Sequence, residues 1–147
     1  MRKALLFLTA CFCGAASAQS SVDNSKCPVG FERVDVRYDH AGGESVPQMR
    51  LAFANQTRKT VTGFVFSLAV FDSGGNPTPY PYPFEYRRGI PPGEPARARL
   101  WKLDPASVDI HRSGERVTLL EATFADGSIW KDNGSRACSV AFDYRSR

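Results

Sequence analysis

Histidine is almost absent from this chain. Only His40 and His111 occur among its 147 residues, and so wide a separation offers no local ligand spacing for a zinc site. No G-x-S-x-G turn is present, and Ser, His and Asp follow no order that marks a nucleophile. Helical periodicity is missing too. Past the N-terminus, no segment repeats apolar residues at three and four positions for long enough to predict an amphipathic helix. Nor does any apolar run there approach the roughly 18 residues of a membrane-spanning helix. Charge of one sign is in short supply: 19 Lys+Arg against 15 Asp+Glu give a formal net charge of +4.

That excess shrinks on closer reading. Arg2 and Lys3 make a positive start, Ala4 to Phe12 are almost wholly apolar, and Ala16-Ser17-Ala18 is a small-residue cleavage site, the pattern of a secretory signal. Removing residues 1–18 leaves 147 − 18 = 129 residues and a charge of 17 − 15 = +2. So small a charge on an exported chain leaves no electrostatic footprint for nucleic acid. A chain of this length forms one domain with a real core. The expected layout is a signal over 1–18, a flexible segment over 19–26, a single domain over 27–142 and a tail over 143–147.

Cysteine follows the same subtraction. Cys11 and Cys13 fall inside the signal, so Cys27 and Cys138 remain. In an exported chain the simplest expectation is one disulfide, with two free thiols as the alternative. It would span 138 − 27 = 111 residues, worth about 4 to 5 kcal/mol in the chain-entropy model before any native strain. Leu8-Thr9-Ala10-Cys11 also matches a bacterial lipobox, in which Cys11 would be the acylated first residue. Ala4 to Leu8 is a short apolar core for such a signal, and a soluble exported form is the preferred expectation.

What is present in the mature chain is β-pattern. Phe31 to Tyr38 sets Val34, Val36 and Tyr38 against Arg33, Asp35 and Arg37, a half-buried strand. Gln48 to Ala54 turns Met49, Leu51 and Phe53 inward. Asn55 to Lys59 is a polar turn, joining its neighbours as a hairpin or a sheet-to-sheet crossing. Val61 to Asp72 is apolar on both parities, as in a central strand. Ala96 to Leu103 alternates Ala96, Ala98 and Leu100 against Arg97, Arg99 and Trp101. Val117 to Phe124 and Ser128 to Lys131 flank Ala125-Asp126-Gly127, a strong hairpin signal. The reading is all-β: an immunoglobulin-like antiparallel β-sandwich of about seven strands.

Within it, Phe53-Ala54-Asn55, Val61 to Phe66, Leu68 to Asp72 followed by Gly74-Gly75, and Ile90-Pro91-Pro92-Gly93-Glu94 form a recognisable series. From about Leu51 to Leu100 the chain resembles the FxLYD-type bacterial β-sandwich, in which a strand ending in Asn precedes a turn, a long strand closes on Leu-Tyr-Asp, and a Pro-Gly-Glu turn follows. Here Val70-Phe71-Asp72 stands in place of Leu-Tyr-Asp, and a Pro/Tyr insertion precedes the Pro-Gly-Glu. The resemblance implies an extracytoplasmic accessory or surface module and assigns no chemistry to any residue.

The insertion is the most unusual stretch. Pro77, Pro79, Pro81 and Pro83 alternate with Tyr80, Tyr82, Phe84 and, further on, Tyr86. Prolines at every second position predict an edge strand or polyproline-like arm. Its four rings either present one face to a sugar or peptide or cover an open end of the sandwich while the prolines deter edge pairing. Arg87 and Arg88 follow directly, and Arg97 and Arg99 share a face with Trp101. These cations either meet an acidic partner or form a solvated face. Asp109 and His111 would share one side of an extended segment, the weakest of the enzyme readings. Asn55-Gln56-Thr57 and Asn133-Gly134-Ser135 fit the glycosylation pattern and also read as plain turns.

The expectation is therefore a secreted or periplasmic, non-catalytic binding or accessory module. Its candidate surface is Tyr80, Tyr82, Phe84, Tyr86, Arg87 and Arg88, and its partner a protein or glycan of the cell envelope. No cofactor or metal is called for. The alternative is a lipid-anchored envelope component held through Cys11, and the least favoured a small hydrolase or metal-dependent enzyme.

Overall fold

Alternation of apolar and polar residues decides the two layers. The computed structural model describes residues 26–39, 46–71, 74–80, 82–108 and 114–142, with the side chains at 38, 39 and 114 excepted. Strand β1 (Val29–Asp39) pairs antiparallel with β2 (Val46–Asn55). Every second residue of β2 is buried, with Met49, Leu51 and Phe53 fully so. The polar turn at 55–59 is a crossing, because β3 (Val61–Phe71) belongs to the other sheet.

Along one edge of β3 lie two short segments in succession, β4 (Pro77–Pro79) beside Ala69 to Phe71 and β5 (Phe84–Tyr86) beside Phe64 to Phe66. Strand β6 (Arg99–Lys102) returns to the first sheet next to β2. Strand β7 (Gly114–Phe124) pairs with the other edge of β3. Its own far edge again carries two segments, β8 (Ile129–Lys131) and β9 (Ser139–Phe142).

The sheets are thus β1-β2-β6 and a six-stranded one built on β3 and β7, an all-β antiparallel sandwich. Nine strands stand where the pattern predicts about seven, because two ladder positions are each filled by two short pieces. Proline removes ladder donors, which breaks the position beside β3, and the polar stretch at 132–138 breaks the one beside β7. Cys27 and Cys138 form a disulfide across a sequence separation of 111, tying the start of β1 to the start of β9.

The core sits between the sheets around Phe53, whose ring lies 5.2 Å from Phe64, 5.0 Å from Phe66 and 5.3 Å from Tyr86. Such edge-on contacts add to simple burial. Two expectations change. Val61 is fully buried ahead of a register shift, but from Gly63 to Phe71 the outward parity of β3 is half-buried rather than covered, and part of its cover is the Arg116 guanidinium, 5.0 Å from the Phe71 ring centre. In β6 the inward residue is Trp101, opposite Met49, while Leu100 opposite Arg50 is 56% exposed. Residues 96–98 are not strand, so the parity counted from Ala96 does not carry through. Asp109, His111, Cys11, His40, the signal over 1–18 and the tail over 143–147 lie outside the described residues.

Candidate functional groove

The candidate site forms where the chain leaves the second sheet and returns to the first. After β5, Ile90 exchanges backbone hydrogen bonds with Val61: the Val61 amide donates to Ile90 O at 3.0 Å and the Ile90 amide to Val61 O at 2.8 Å. Pro91-Pro92-Gly93-Glu94 then turns sharply. The Glu94 amide donates to Pro91 O at 3.2 Å, and Gly93 has φ +75°. That is a type II turn, whose third residue needs the positive φ that glycine adopts freely. Ala96 N donates to Phe53 O at 2.7 Å and re-enters the first sheet.

Asn55 holds this excursion in place. It is fully buried, and its Nδ2 donates to Lys59 O, Ile90 O and Pro91 O at 2.8, 2.9 and 3.1 Å. Its Oδ1 accepts from the Thr57 amide and hydroxyl at 2.9 and 2.7 Å. Gly93 N donates to Asn55 O, and Asn55 N to Glu94 O. A side chain so enclosed is no glycosylation acceptor in the folded domain, whereas Asn133 is exposed and its Oδ1 accepts from the Ser135 amide.

The frame leaves an open groove of about 360 Å³. Its floor is the buried Tyr86 and Ile90, its sides Pro91 and Pro95, and its rim the exposed Arg88, Arg97 and Glu94. Neighbouring cations are already occupied. Arg87 pairs with Glu85 at 2.6 Å, and the Arg99 guanidinium lies 5.5 Å from the Trp101 ring centre. Arg88 and Arg97 have no such partner among the described residues. The groove thus offers two guanidinium forks and one carboxylate over an apolar floor.

The aromatic arm is placed otherwise than as an open platform of four rings. Tyr80, Phe84 and Tyr86 are buried, and only Tyr82, 63% exposed, faces solvent. Tyr80 stacks on Phe84 with ring centres 5.4 Å apart, Phe84 meets Trp101 at 5.9 Å, and the Tyr80 hydroxyl accepts the Asp104 amide at 2.8 Å. The spacing predicts one shared face for all four rings; Tyr82 departs from it, and Tyr80 and Phe84 close the seam between β5 and β6. Of the candidate surface residues, Arg88 alone combines exposure, a free charge and a place on the groove. The contribution of Glu94 and the convergence of Arg88 with Arg97 were not anticipated. The pairing of Asn55 with a later Pro-Gly turn is the sequence signal closest to them.

At the same end, the Lys59 ammonium binds Asp126 at 2.8 Å. Hydrogen bonds from Lys59 and Ser128 hold the Asp126 carboxyl well below the usual range. Elsewhere, the buried Glu115 Oε2 and Trp130 Nε1 have no hydrogen-bond partner among the described residues, and neither residue lines the groove. Among the described residues, no three His, Cys, Asp or Glu side chains cluster to hold a metal ion.

No family model matches the chain. No curated protein matches it either. Two solved structures share the fold. A hypothetical protein of Peptoclostridium difficile 630 aligns with a TM-score of 0.51 at 12% identity, over 74% of this chain and 88% of its own. The structural-genomics target SoR45 aligns with a TM-score of 0.51 at 9% identity, over 81% of this chain and 87% of its own. At these identities the likeness is one of fold alone.

Proposed function

We propose that the chain is an exported, non-catalytic binding module, an accessory protein of the cell envelope that receives an anionic group of its partner between Arg88 and Arg97. The observation that carries this is the charge balance at the groove: two exposed guanidinium groups without partners among the described residues, set on a frame pinned by Asn55. A guanidinium presents a planar fork of N–H donors and no acceptor, so these two side chains are suited to binding and orienting an anion. Export is supported by the N-terminal signal pattern and by the Cys27–Cys138 disulfide, a bond that persists in oxidising compartments. What supports an FxLYD-type relationship is that its two marker segments, the strand-ending Asn55 and the Pro92-Gly93-Glu94 turn, meet in one hydrogen-bonded knot.

The test is a titration of the 15N-labelled mature domain with small anions, glucuronate and N-acetylglutamate, followed by amide shifts. Changes at Gly89, Ile90 and Arg97 that vanish in the Arg88→Ala/Arg97→Ala variant support the groove. Shifts confined to other surfaces, or absent altogether, would overturn it. Intact mass of the exported protein tests the compartment: a chain beginning at Gln19 is the expected result, and a diacylated Cys11 would replace the free form by the anchored one.

A further inference from the structure

We propose that the groove's occupant is a peptide segment of acidic–apolar–acidic character, with the apolar side chain between Pro91 and Pro95 and one carboxylate against each of Arg88 and Arg97. The inference rests on the groove being a binding site and adds the class of ligand. Two unengaged guanidinium groups call for two carboxylates, since the planar fork of arginine matches a carboxylate in a bidentate pair. Arg87 and Arg99, already engaged with Glu85 and Trp101, mark the ends of the available charge.

The volume, about 360 Å³, lies at the small end for ligand pockets, enough for one side chain and its flanking backbone. Among the floor and side residues, Tyr86, Ile90, Pro91 and Pro95, the Tyr86 hydroxyl is the one polar side-chain atom. A pyranose ring is gripped through its C–H face on an open aromatic ring, and the groove has none: Tyr86 is 4% exposed, and the exposed Tyr82 is not part of the lining. This favours a peptide over an acidic sugar. Glu94 on the same rim opposes a third carboxylate, so alternation suits the groove better than a uniformly acidic run. Because Asn55 and the Ile90–Val61 pair pre-form the frame, little ordering cost opposes a short ligand.

Fluorescence anisotropy tests the proposal with a labelled Gly/Ser peptide carrying Glu-Leu-Glu, against Glu-Gly-Glu and Lys-Leu-Lys versions and against labelled oligogalacturonate. The proteins are the mature domain, Arg88→Ala/Arg97→Ala and Arg87→Ala, all altered at exposed side chains. Saturable binding of the Glu-Leu-Glu peptide is expected, weakened about tenfold or more by the double substitution. Arg87→Ala should change it less than about twofold, as for an exposed pair, and the two control peptides should bind more weakly. Oligogalacturonate binding that the double variant abolishes, with no peptide binding, overturns the peptide class and leaves the groove reading standing. If neither ligand responds to the double substitution, both fall.

Discussion

The Asn55 side-chain amide donates to Ile90 O at 2.9 Å across 35 positions of sequence. This one contact couples the end of β2 to the loop that carries Arg88 and Arg97. Asn55→Ala should strip Lys59 O, Ile90 O and Pro91 O of their second donor and leave the Thr57 amide without its acceptor. Each such loss costs about 1 to 3 kcal/mol when water does not replace it. An expected destabilisation of about 3 kcal/mol would appear in urea unfolding as a lower midpoint with unchanged slope. A midpoint within error of wild type would mean that the loop holds without this amide.

Glu115 gives the domain a pH dependence of unusual sign. It faces inward on β7 opposite Val70 and Phe142, is 4% exposed, and burial raises its pKa from 4.5 to about 7. Between these values the folded state holds a proton that the unfolded chain has released, so stability falls as pH rises. The contribution is fully present below about pH 4.5 and is lost as pH passes about 7. Its whole size is on the order of 3 kcal/mol, at about 1.4 kcal/mol per pKa unit. Glu115→Gln should flatten that part of the profile when unfolding is measured from pH 4.5 to 8. An unchanged slope in the variant would assign the dependence to another group.

The Cys27–Cys138 disulfide closes a long loop, and its chief effect is on the unfolded chain. The Cys27→Ser/Cys138→Ser variant should lose about 4 kcal/mol, a fall of about 15 °C in midpoint for a domain of this size. Wild type reduced with dithiothreitol should melt with the variant. A reduced protein as stable as the oxidised one would make the bond energetically idle.

Strand β2 was legible because one face is buried and its period of two runs unbroken, whereas in β7 an extra residue at Leu120 shifts the buried face from Val117 and Leu119 to Ala122 and Phe124. The arm was legible only in part, because Tyr82 leaves the face its spacing shares with the other three rings. Spacing puts Tyr80, Tyr82, Phe84 and Tyr86 on one side of the chain, but which of them meet core depends on β6, which arrives from the other sheet and covers Phe84 with Trp101. The swap of Leu100 for Trp101 has a similar origin: residues 96–98 are not extended as strand, and a one-residue slip reverses every side chain beyond it. Arg88 and Arg97 were visible as cations, yet their convergence depends on Asn55 bonding to Ile90 and Pro91, a long-range pairing that no local period encodes.

Tyr80 and Tyr82 separate packing from surface within one short arm. Their rings lie 6.0 Å apart, but Tyr80 is buried against Phe84 and its hydroxyl accepts the Asp104 amide, while Tyr82 is 63% exposed. Tyr80→Ala opens a cavity beside the β5–β6 seam and should cost about 3 to 5 kcal/mol, by analogy with other buried aromatic truncations. Tyr80→Phe keeps the ring and should cost only about 1 kcal/mol for the lost hydrogen bond. Tyr82→Ala should fall within about 0.5 kcal/mol of wild type, as for most surface changes. Chemical denaturation of the three variants checks the order. Equal losses for Tyr80→Ala and Tyr82→Ala would mean that the exposed ring is as much a part of the seam as the buried one.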